Sequence, residues 1–462
     1  MNLPDSIVSR LKEHVGAEHV RADAASLAAY AADALGQGHL PDVVVTPSNA
    51  NEISAIARLC NEHRVPLVVR GAGTGYTGGA VPTCGGVVLS MERMNRILEI
   101  DELNLLAVVE PNVITGDLQR AVERVGLFYP PDPASLATSS IGGNVAECAG
   151  GPRAFKYGTT KRYVLALEAV LPTGEIVQTG SKAVKNVVGY DLTQLLVGSE
   201  GTLAIITRIT LRLIPKPPAR ATLSASFASV EQAVQAVTSL IDRRVVPAAI
   251  ELVDADSIRA VEAFVGHAVV PSGANAQLIV ECDGTEAAVE EEIVRVVSAC
   301  RDGGSLQITR AATDAEREDV WSVRRQLSFS LRATGLLKIN HDIVVPRGRV
   351  PQLFETLADL KTRHALQIAS FGHAGDGNIH VNLMIAKQDE AARARARAAE
   401  RELFERVVAL EGSISGEHGI GFAKAPYLPI ELSADVIALM KRVKASFDPN
   451  GILNPGKMFP SQ

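Results

Sequence analysis

Apolar positions along the chain fall into two textures that change at one point. Near the N-terminus Ile7, Leu11 and Val15 recur every four positions, the spacing of one helix face, and an alanine-rich run follows; the pattern predicts a helical arm over 5–35. The next stretch reads as strand, helix, strand. Asp42-Val43-Val44-Val45 is a short buried-strand run, Ile53, Ile56, Ala57 and Cys60 share a helix face, and Pro66-Leu67-Val68-Val69-Arg70 is a second strand. Strand and turn signals then alternate to about Leu213. The run Ile214-Pro215-Lys216-Pro217-Pro218 breaks regular structure. Beyond it strands near 221–227 and 247–252 alternate with longer helices near 229–243 and 285–301, an α+β pattern of helices covering a sheet. The run 389–411 is helical, with arginines interleaved among glutamates, and is a solvated face rather than a basic binding patch.

At 462 residues the chain exceeds a single hydrophobic core. The textures divide it into residues 1–217, 218–420 and a turn-rich closing segment 421–462. Hydrophobic residues at 47% and charged residues at 21% are ordinary for a globular protein. Aromatics at 4% and a net charge of −6 argue against a nucleic-acid surface. No apolar run reaches the length of a membrane span, and the N-terminus lacks the basic-then-apolar pattern of a signal peptide. Cys60, Cys84, Cys148, Cys282 and Cys300 lack C-x-x-C spacing, so they read as reduced thiols of a cytoplasmic protein and build no iron–sulfur site.

Glycine carries the first candidate chemistry. Gly71-Ala72-Gly73-Thr74-Gly75-Tyr76-Thr77-Gly78-Gly79 places five glycines in nine residues directly after a strand. Such a loop lets backbone N–H groups approach an anion, and a pyrophosphate is the natural guest. A Rossmann fingerprint is the rival, and Glu92 stands near where its ribose-binding acid belongs. The spacing, however, is G-x-G-x-G, and Thr77-Gly78-Gly79-Ala80-Val81-Pro82 cannot open a helix. Further amides come from a second glycine turn at Ser139-Ser140-Ile141-Gly142-Gly143-Asn144, a third at Ala149-Gly150-Gly151 and a fourth at Val197–Leu203, with Pro131-Asp132-Pro133 as a rigid lead-in. One such loop is an ordinary turn; four, each beside a strand, point to an extended dinucleotide held along its length.

Imidazole carries the second. His373-Ala374-Gly375-Asp376-Gly377-Asn378-Ile379-His380 is a turn between two strand patterns, Gln367–Phe371 and Val381–Ile385, and it brings two imidazoles to one end of a sheet. Gly416-Glu417-His418-Gly419 adds a carboxylate and a third imidazole in another glycine-flanked loop. Taken singly, each histidine is a turn cap or a polar core residue. Together they suffice for a His₂-carboxylate metal site with open positions and a base left over. Zinc suits that donor set, and manganese or iron also fit.

The motifs R-G-A-G-T-G-Y-T-G-G, P-D-P followed by S-I-G-G-N-V-A-E-C-A-G-G, and V-G-S-E-G-T-L-A-I-I-T over residues 40–217 resemble the flavin domain of the vanillyl-alcohol oxidase/p-cresol methylhydroxylase (PCMH) superfamily. H-A-G-D-G-N-I-H, S-G-E-H-G-I-G and D-P-N-G-I-L-N-P-G-K over 218–462 resemble the matching FAD-linked oxidase C-terminal domain. The motifs are similar to those of glycolate oxidase flavin subunits, D-lactate dehydrogenases and D-2-hydroxyglutarate dehydrogenases. The resemblance implies an α+β fold: a PCMH-type FAD-binding domain, a ferredoxin-like α+β substrate domain, and a C-terminal segment returning to the FAD domain. It implies FAD contacts from Arg70, Gly71, Ala72, Gly73, Thr74, Gly75, Tyr76, Pro131, Ser139, Gly142, Gly143, Asn144, Gly150, Gly201, Ile206 and Asn454. Tyr76 and Thr77 stand where a flavin-linking residue would be, which favours non-covalent FAD, with Cys148 the alternative attachment point.

The same resemblance assigns His373, His380 and Glu417 as metal ligands and His418 as the base. An alcohol is too weak an acid to ionise near neutral pH; a divalent cation stabilises the alkoxide and a neutral imidazole takes the proton. Hydride then passes from C2 to flavin N5. Arg324 and Ser328 share a face of a predicted helix at i, i+4, and the resemblance makes Arg324 the clamp for a substrate carboxylate, with Arg325 turned elsewhere. Asn382, two residues past His380 on the same strand face, is a candidate hydrogen-bonding group for substrate or flavin. The implied activity is dehydrogenation of a small (R)-2-hydroxy acid, glycolate or D-lactate, with D-2-hydroxyglutarate next; Lys338 is a second cation for a diacid, at a spacing about one residue off. A flavin-carrying electron-transfer subunit and a metal hydrolase are the rival classes. The implied acceptor is external: a quinone, an electron-transfer flavoprotein, a cytochrome or an iron–sulfur subunit. Expected further are a homodimer as one form of assembly and a cytoplasmic location, peripheral to the inner membrane in one version.

Overall fold

The computed structural model describes residues 3–460, and the chain divides into two compact units. The first takes Met1–Gly150, Thr159–Lys216 and Glu417–Gln462; the second takes Gly151–Gly158 and Pro217–Gly416.

In the first unit Val43–Val45, Val87–Ser90 and Leu67–Arg70 form a parallel set, with Val20–Arg21 antiparallel at one edge. These strands are buried on both faces, which is why they read as continuous valine-rich runs. Helix Ala50–His63 packs Ile53, Ile56, Ala57 and Cys60 into that core. Asn49 caps it by accepting the Glu52 N–H at 3.0 Å, and Arg64 ends it in the left-handed region at φ 52°. A second, antiparallel sheet runs Ile97–Asp101, Leu106–Val109, Ile205–Arg212, Val164–Val170, Ile176–Gly180. The closing segment returns to the edge of the parallel set: Leu67 N–H donates to Ile452 O at 2.8 Å, and Asn454 N–H donates to Leu67 O at 2.8 Å.

Two local expectations are corrected here. The N-terminal arm is not helical over 5–35. Helix Asp5–Val15 stops at Gly16 (φ +92°), Val20–Arg21 joins the sheet, and only Ala24–Ala29 is helical again. Val20 and Arg21 are drawn out of any helix by pairing with Val45 and Val44. The second glycine loop is not a turn either. Ile141–Glu147 is a helix, with Ser140 accepting the Gly143 N–H at 3.3 Å as its cap, so Gly142, Gly143 and Asn144 lie in the first turn. A side chain on Gly142 would lie 2.6 Å from Pro111 Cβ, so glycine serves close packing there.

The second unit is one seven-stranded antiparallel sheet, ordered Gln307–Arg310, Ala219–Phe227, Ala276–Gly284, Ala249–Asp254, Gln367–His373, Asn378–Ile385, Leu337–Val344. Helices Val230–Asp242, Ala255–Val265, Glu286–Asp302, Asp314–Ala333, Val350–Arg363 and Glu390–Ala409 accompany it. Val253, Ala369 and Phe371 of the sheet pack with Ile258 and Val261 of one helix and Leu327 and Leu331 of another. No helix among the described residues is long and apolar enough to cross a membrane.

Candidate functional site

Strand Leu67–Arg70 delivers the chain into the glycine loop, and no helix follows before strand Val87–Ser90. Gly71 passes so close to Ser140 that a Cβ would sit 2.3 Å from its Oγ. Gly73 has φ +70°, and the Arg70 guanidinium fills the space beside it. Arg70 also donates to Ala32 O at 2.9 Å and lies 5.7 Å from the Tyr30 ring centre, so it braces the loop from behind. At Gly75 the space is open: a Cβ would meet only Asp33 Oδ2, at 4.0 Å. Glu92 does not wait for a ribose; it accepts from Arg21 at 2.6 Å and Tyr30 at 2.7 Å.

Behind this loop the implied flavin contacts are locked together. Asn144 Nδ2 donates to Thr115 Oγ1 at 2.7 Å, Thr115 Oγ1 lies 3.1 Å from Ser139 Oγ, and Pro131 O accepts from Gln119 at 2.8 Å. Ile206 is buried on strand Ile205–Arg212, and Gly201 turns at φ +63°. Asn454 ties the closing segment in, donating to Glu200 O at 2.7 Å and Gly79 O at 3.0 Å. Lys457 Nζ adds a bond to Gly79 O at 3.1 Å.

Glu417, His418 and Gly419 are held in the same unit. Glu200 accepts the N–H groups of Ile420 at 2.8 Å and Gly421 at 2.6 Å, and Thr77 Oγ1 donates to His418 O at 3.1 Å. The His418 ring stacks on Tyr76 of the glycine loop, 5.1 Å between centres and 24° between planes. Gly150 lies against Glu417, where a Cβ would come within 2.8 Å of Oε2. Glu147 is a further buried carboxyl beside Gly419; burial, with Glu200 next to it, pushes its pKa well up. Neither Glu147 nor Glu200 was expected as part of this arrangement. Their signal was a carboxylate placed among glycines and apolar residues, in N-V-A-E-C and G-S-E-G.

In the second unit the hairpin forms with His373 opposite Asn378 and Phe371 opposite His380. Alternation then puts His373, His380 and Asn382 on one face. The two imidazoles stand 5.3 Å apart at 85°. A residue with no part in the sequence argument organises them. Glu251, fully buried on the neighbouring strand, meets His373 Nδ1 at 2.5 Å with one oxygen and accepts Arg324 Nε with the other. Burial by itself would raise Glu251, yet Arg324 and His373 beside it hold it down at about 2. Arg324 is buried in turn, stacks 4.8 Å from the Phe371 ring centre, and keeps Nη2 without a hydrogen-bond partner among the described residues. Arg325 is exposed and paired with Glu318.

Asp342 is the second unexpected carboxylate of this unit. Its Oδ1 lies 3.8 Å from His380 Nδ1 and accepts from Asn378 Nδ2 at 2.6 Å, and its Oδ2 accepts the Gly416 N–H at 2.8 Å. Gly416 lies so close to Asn378 that a Cβ would come within 2.2 Å of Nδ2. Gly416 is thereby fixed to strand Leu337–Val344, which carries Asp342. Asn382 spans its neighbours, accepting from Asn340 at 2.8 Å and donating to Ala369 O at 3.0 Å. Ser328 accepts from Lys338 Nζ at 2.7 Å.

A glycine cradle and a carboxylate-braced imidazole pair define a cofactor-dependent redox protein. Comparison with known proteins makes the class specific. Residues 41–180 match the FAD binding domain family, and residues 216–458 match the C-terminal domain of FAD linked oxidases. The chain belongs to the FAD-linked oxidase family, binds FAD and is an oxidoreductase. It is 44% identical to the glycolate oxidase subunit GlcD of Bacillus subtilis, across 91% of this chain and 89% of that one. It is 37% identical to a D-lactate dehydrogenase of Anaerostipes hadrus, across 90% and 89%. The 4-ethylphenol oxidase of Gulosibacter chungangensis has the same fold, with a TM-score of 0.80 at 21% identity, covering 99% of this chain and 97% of that one. The resemblance carried by the motifs is borne out, and the fold class with it.

Proposed function

We propose that the protein is an FAD- and divalent-metal-dependent dehydrogenase of (R)-2-hydroxy acids, with glycolate or D-lactate as substrate. The observation that carries this reading is the buried Arg324, whose Nη2 has no partner among the described residues and whose Nε is tied to the carboxylate that also holds His373. A buried guanidinium with a donor to spare calls for an anion, and a carboxylate meets its planar fork. The same tie puts an imidazole pair beside that anion.

The donor chemistry of the second site fits a divalent metal. His373 and His380 would supply nitrogen and Glu417 oxygen, with zinc preferred and manganese or iron also suited. Glu251 on Nδ1 of His373 is the support that metal-ligating histidines use, fixing the ring and assigning Nε2 to the ligand role. Bound FAD, held non-covalently, supplies the two-electron acceptor, and a bound cation supplies the charge that makes a hydroxyl acidic. The chain does the rest. Arg324 orients the substrate through its carboxylate, and His418 takes the hydroxyl proton on an imidazole nitrogen. Tyr76 and Thr77 hold His418 by ring stacking and by its carbonyl.

A second reading, a diacid such as D-2-hydroxyglutarate, draws on Lys338. Burial, with Arg332 nearby, pulls its pKa to about 7, and its Nζ reaches Ser328 one helical turn from Arg324. Electrons leave to an external acceptor, as suits a relative named as a subunit; a quinone, a cytochrome, an electron-transfer flavoprotein or an iron–sulfur subunit would serve. A cytoplasmic enzyme, attached to the inner membrane through such a partner, is the matching location.

Anaerobic flavin reduction against a panel of R and S hydroxy acids, with metal content assayed in parallel, tests the reading. Bleaching by D-lactate or glycolate but not by L-lactate supports it; equal bleaching by both lactates overturns it. Two variants sharpen the test. Arg324→Ala is expected to raise KM by roughly 10–100-fold, the loss of a charge-assisted hydrogen bond, with kcat less affected; an unchanged KM means another group binds the carboxylate. His373→Ala is expected to strip the metal while FAD stays bound, and wild-type metal stoichiometry in that variant contradicts the ligand set.

A further inference from the structure

Residues Gly151–Gly158 belong to the second unit although the chain on both sides of them belongs to the first. The excursion ends on a packed aromatic. Phe155 is buried at 8% exposure and lies flat on the backbone of Gly375, inside the turn between His373 and His380. A Cβ on Gly375 would fall 2.7 Å from Phe155 Cγ, 2.9 Å from Cδ1 and 3.1 Å from Cδ2, so only glycine permits this stacking. The Arg347 guanidinium also engages the ring, 5.0 Å from its centre. The segment is pinned by its next two residues: Lys156 Nζ donates to Asp283 Oδ1 at 2.6 Å, and Tyr157 Oη donates to Asp283 Oδ2 at 2.8 Å.

The turn that receives this ring is held largely through its backbone, with Gly377 O accepting the Val345 N–H at 3.1 Å. Gly375 N–H reaches Ile250 O at 3.4 Å, a long contact, and the two following N–H groups fold back on His373 O at 3.3 and 3.1 Å. Of the six residues between the imidazoles two are glycines, so the ring packs on bare backbone at Gly375. We infer that Phe155 is a positioning residue for the His373–His380 hairpin, setting the approach of the two imidazoles from above as Glu251 sets it from the side. Nothing in the sequence motifs assigns it this role. The ring and its glycine form a complementary pair: one supplies a flat apolar face and the other removes the side chain that would block it.

The inference rests on the metal reading above, and the test separates the two. Zinc affinity of metal-depleted, FAD-loaded protein is measured by competition with a chromogenic chelator, for wild type and for Phe155→Leu, Phe155→Ala, Gly375→Ala and the double variant. Outer supports of metal ligands typically change affinity by roughly 10–100-fold, so Phe155→Ala and Gly375→Ala are each expected to weaken zinc by at least about tenfold. Phe155→Leu should recover part of the loss. In the double variant the added methyl enters the space the ring vacates, so its zinc affinity should exceed the product of the two single losses. Hydrogen exchange of residues 373–380 in the metal-free proteins should quicken in Phe155→Ala and leave the flavin spectrum unchanged. Wild-type zinc affinity and exchange in Phe155→Ala, or purely multiplicative losses in the double variant, overturn the positioning role. If wild-type protein binds zinc no better than His373→Ala, the metal reading fails instead, and the exchange measurement still decides whether Phe155 orders the turn.

Discussion

His418→Ala is expected to purify with its full complement of FAD and to lose reduction by substrate by roughly 10²–10⁴-fold, the usual contribution of a positioned general base. FAD should remain because the side chain is one of several anchors at that turn: Glu200 holds Ile420 and Gly421 through backbone N–H groups, which the substitution does not touch. The loss should appear in kcat and kcat/KM alike, since proton removal matters in the transition state rather than in binding. Stopped-flow anaerobic reduction measures it directly. A variant that bleaches at the wild-type rate would remove His418 from the chemistry and leave it a structural part of the turn.

Glu251→Gln should be costly in two separate ways. The glutamine is nearly isosteric but carries no charge, so it leaves the Arg324 guanidinium buried without its counter-charge. Breaking a buried pair from one side costs about 3–5 kcal/mol of stability, readable as an earlier midpoint in chemical denaturation. The second cost falls on His373. A carboxylate on Nδ1 fixes the tautomer and raises the basicity of the ring, whereas an amide can present its N–H₂ and turn the ring over. Zinc affinity is therefore expected to fall by roughly 10–100-fold, together with a higher KM from the disturbed Arg324. Glu251→Gln with wild-type stability and wild-type metal content would show that the carboxylate is spectator to both neighbours. Glu251→Asp, which keeps the charge but shortens the reach, should retain more stability than Glu251→Gln while still weakening the metal.

Much of this was readable from the chain, and the failures share a cause. The hairpin around His373 and His380 was legible because its turn chemistry and its flanking apolar runs are local. That Arg324 and Ser328 share a helix face was legible because i, i+4 spacing on one helix needs no tertiary information. The glycine loop was separated from a Rossmann turn by its spacing and by the residues after it, which cannot open a helix, and Glu92 is indeed spent on Arg21 and Tyr30. Glu251, Asp342, Glu147 and Glu200 were missed because their partners lie far away in sequence: Glu251 meets His373 across 122 positions, and Glu200 meets Ile420 across 220. A lone acid in A-I-E-L-V-D reads as noise in a strand until the sheet order places an imidazole beside it. The Ser140 helix was missed for a different reason. Two adjacent glycines suggest a turn, and the serine cap that overrides them is a single hydroxyl.

The layout of the two units dictates an order of events during synthesis. Everything the seven-stranded sheet needs has left the ribosome once residue 416 emerges, so that unit is free to fold while the chain is still growing. The flavin cradle must wait. Leu67 and Gly79, made early, find Ile452, Asn454 and Lys457 only after more than 370 further residues have been added, and until then the edge beside the glycines stays open. Nascent protein stalled before Ile452 should thus carry an ordered His373–His380 hairpin but no firmly held coenzyme, so a cut or stall between the two leaves a folded half with an empty cradle.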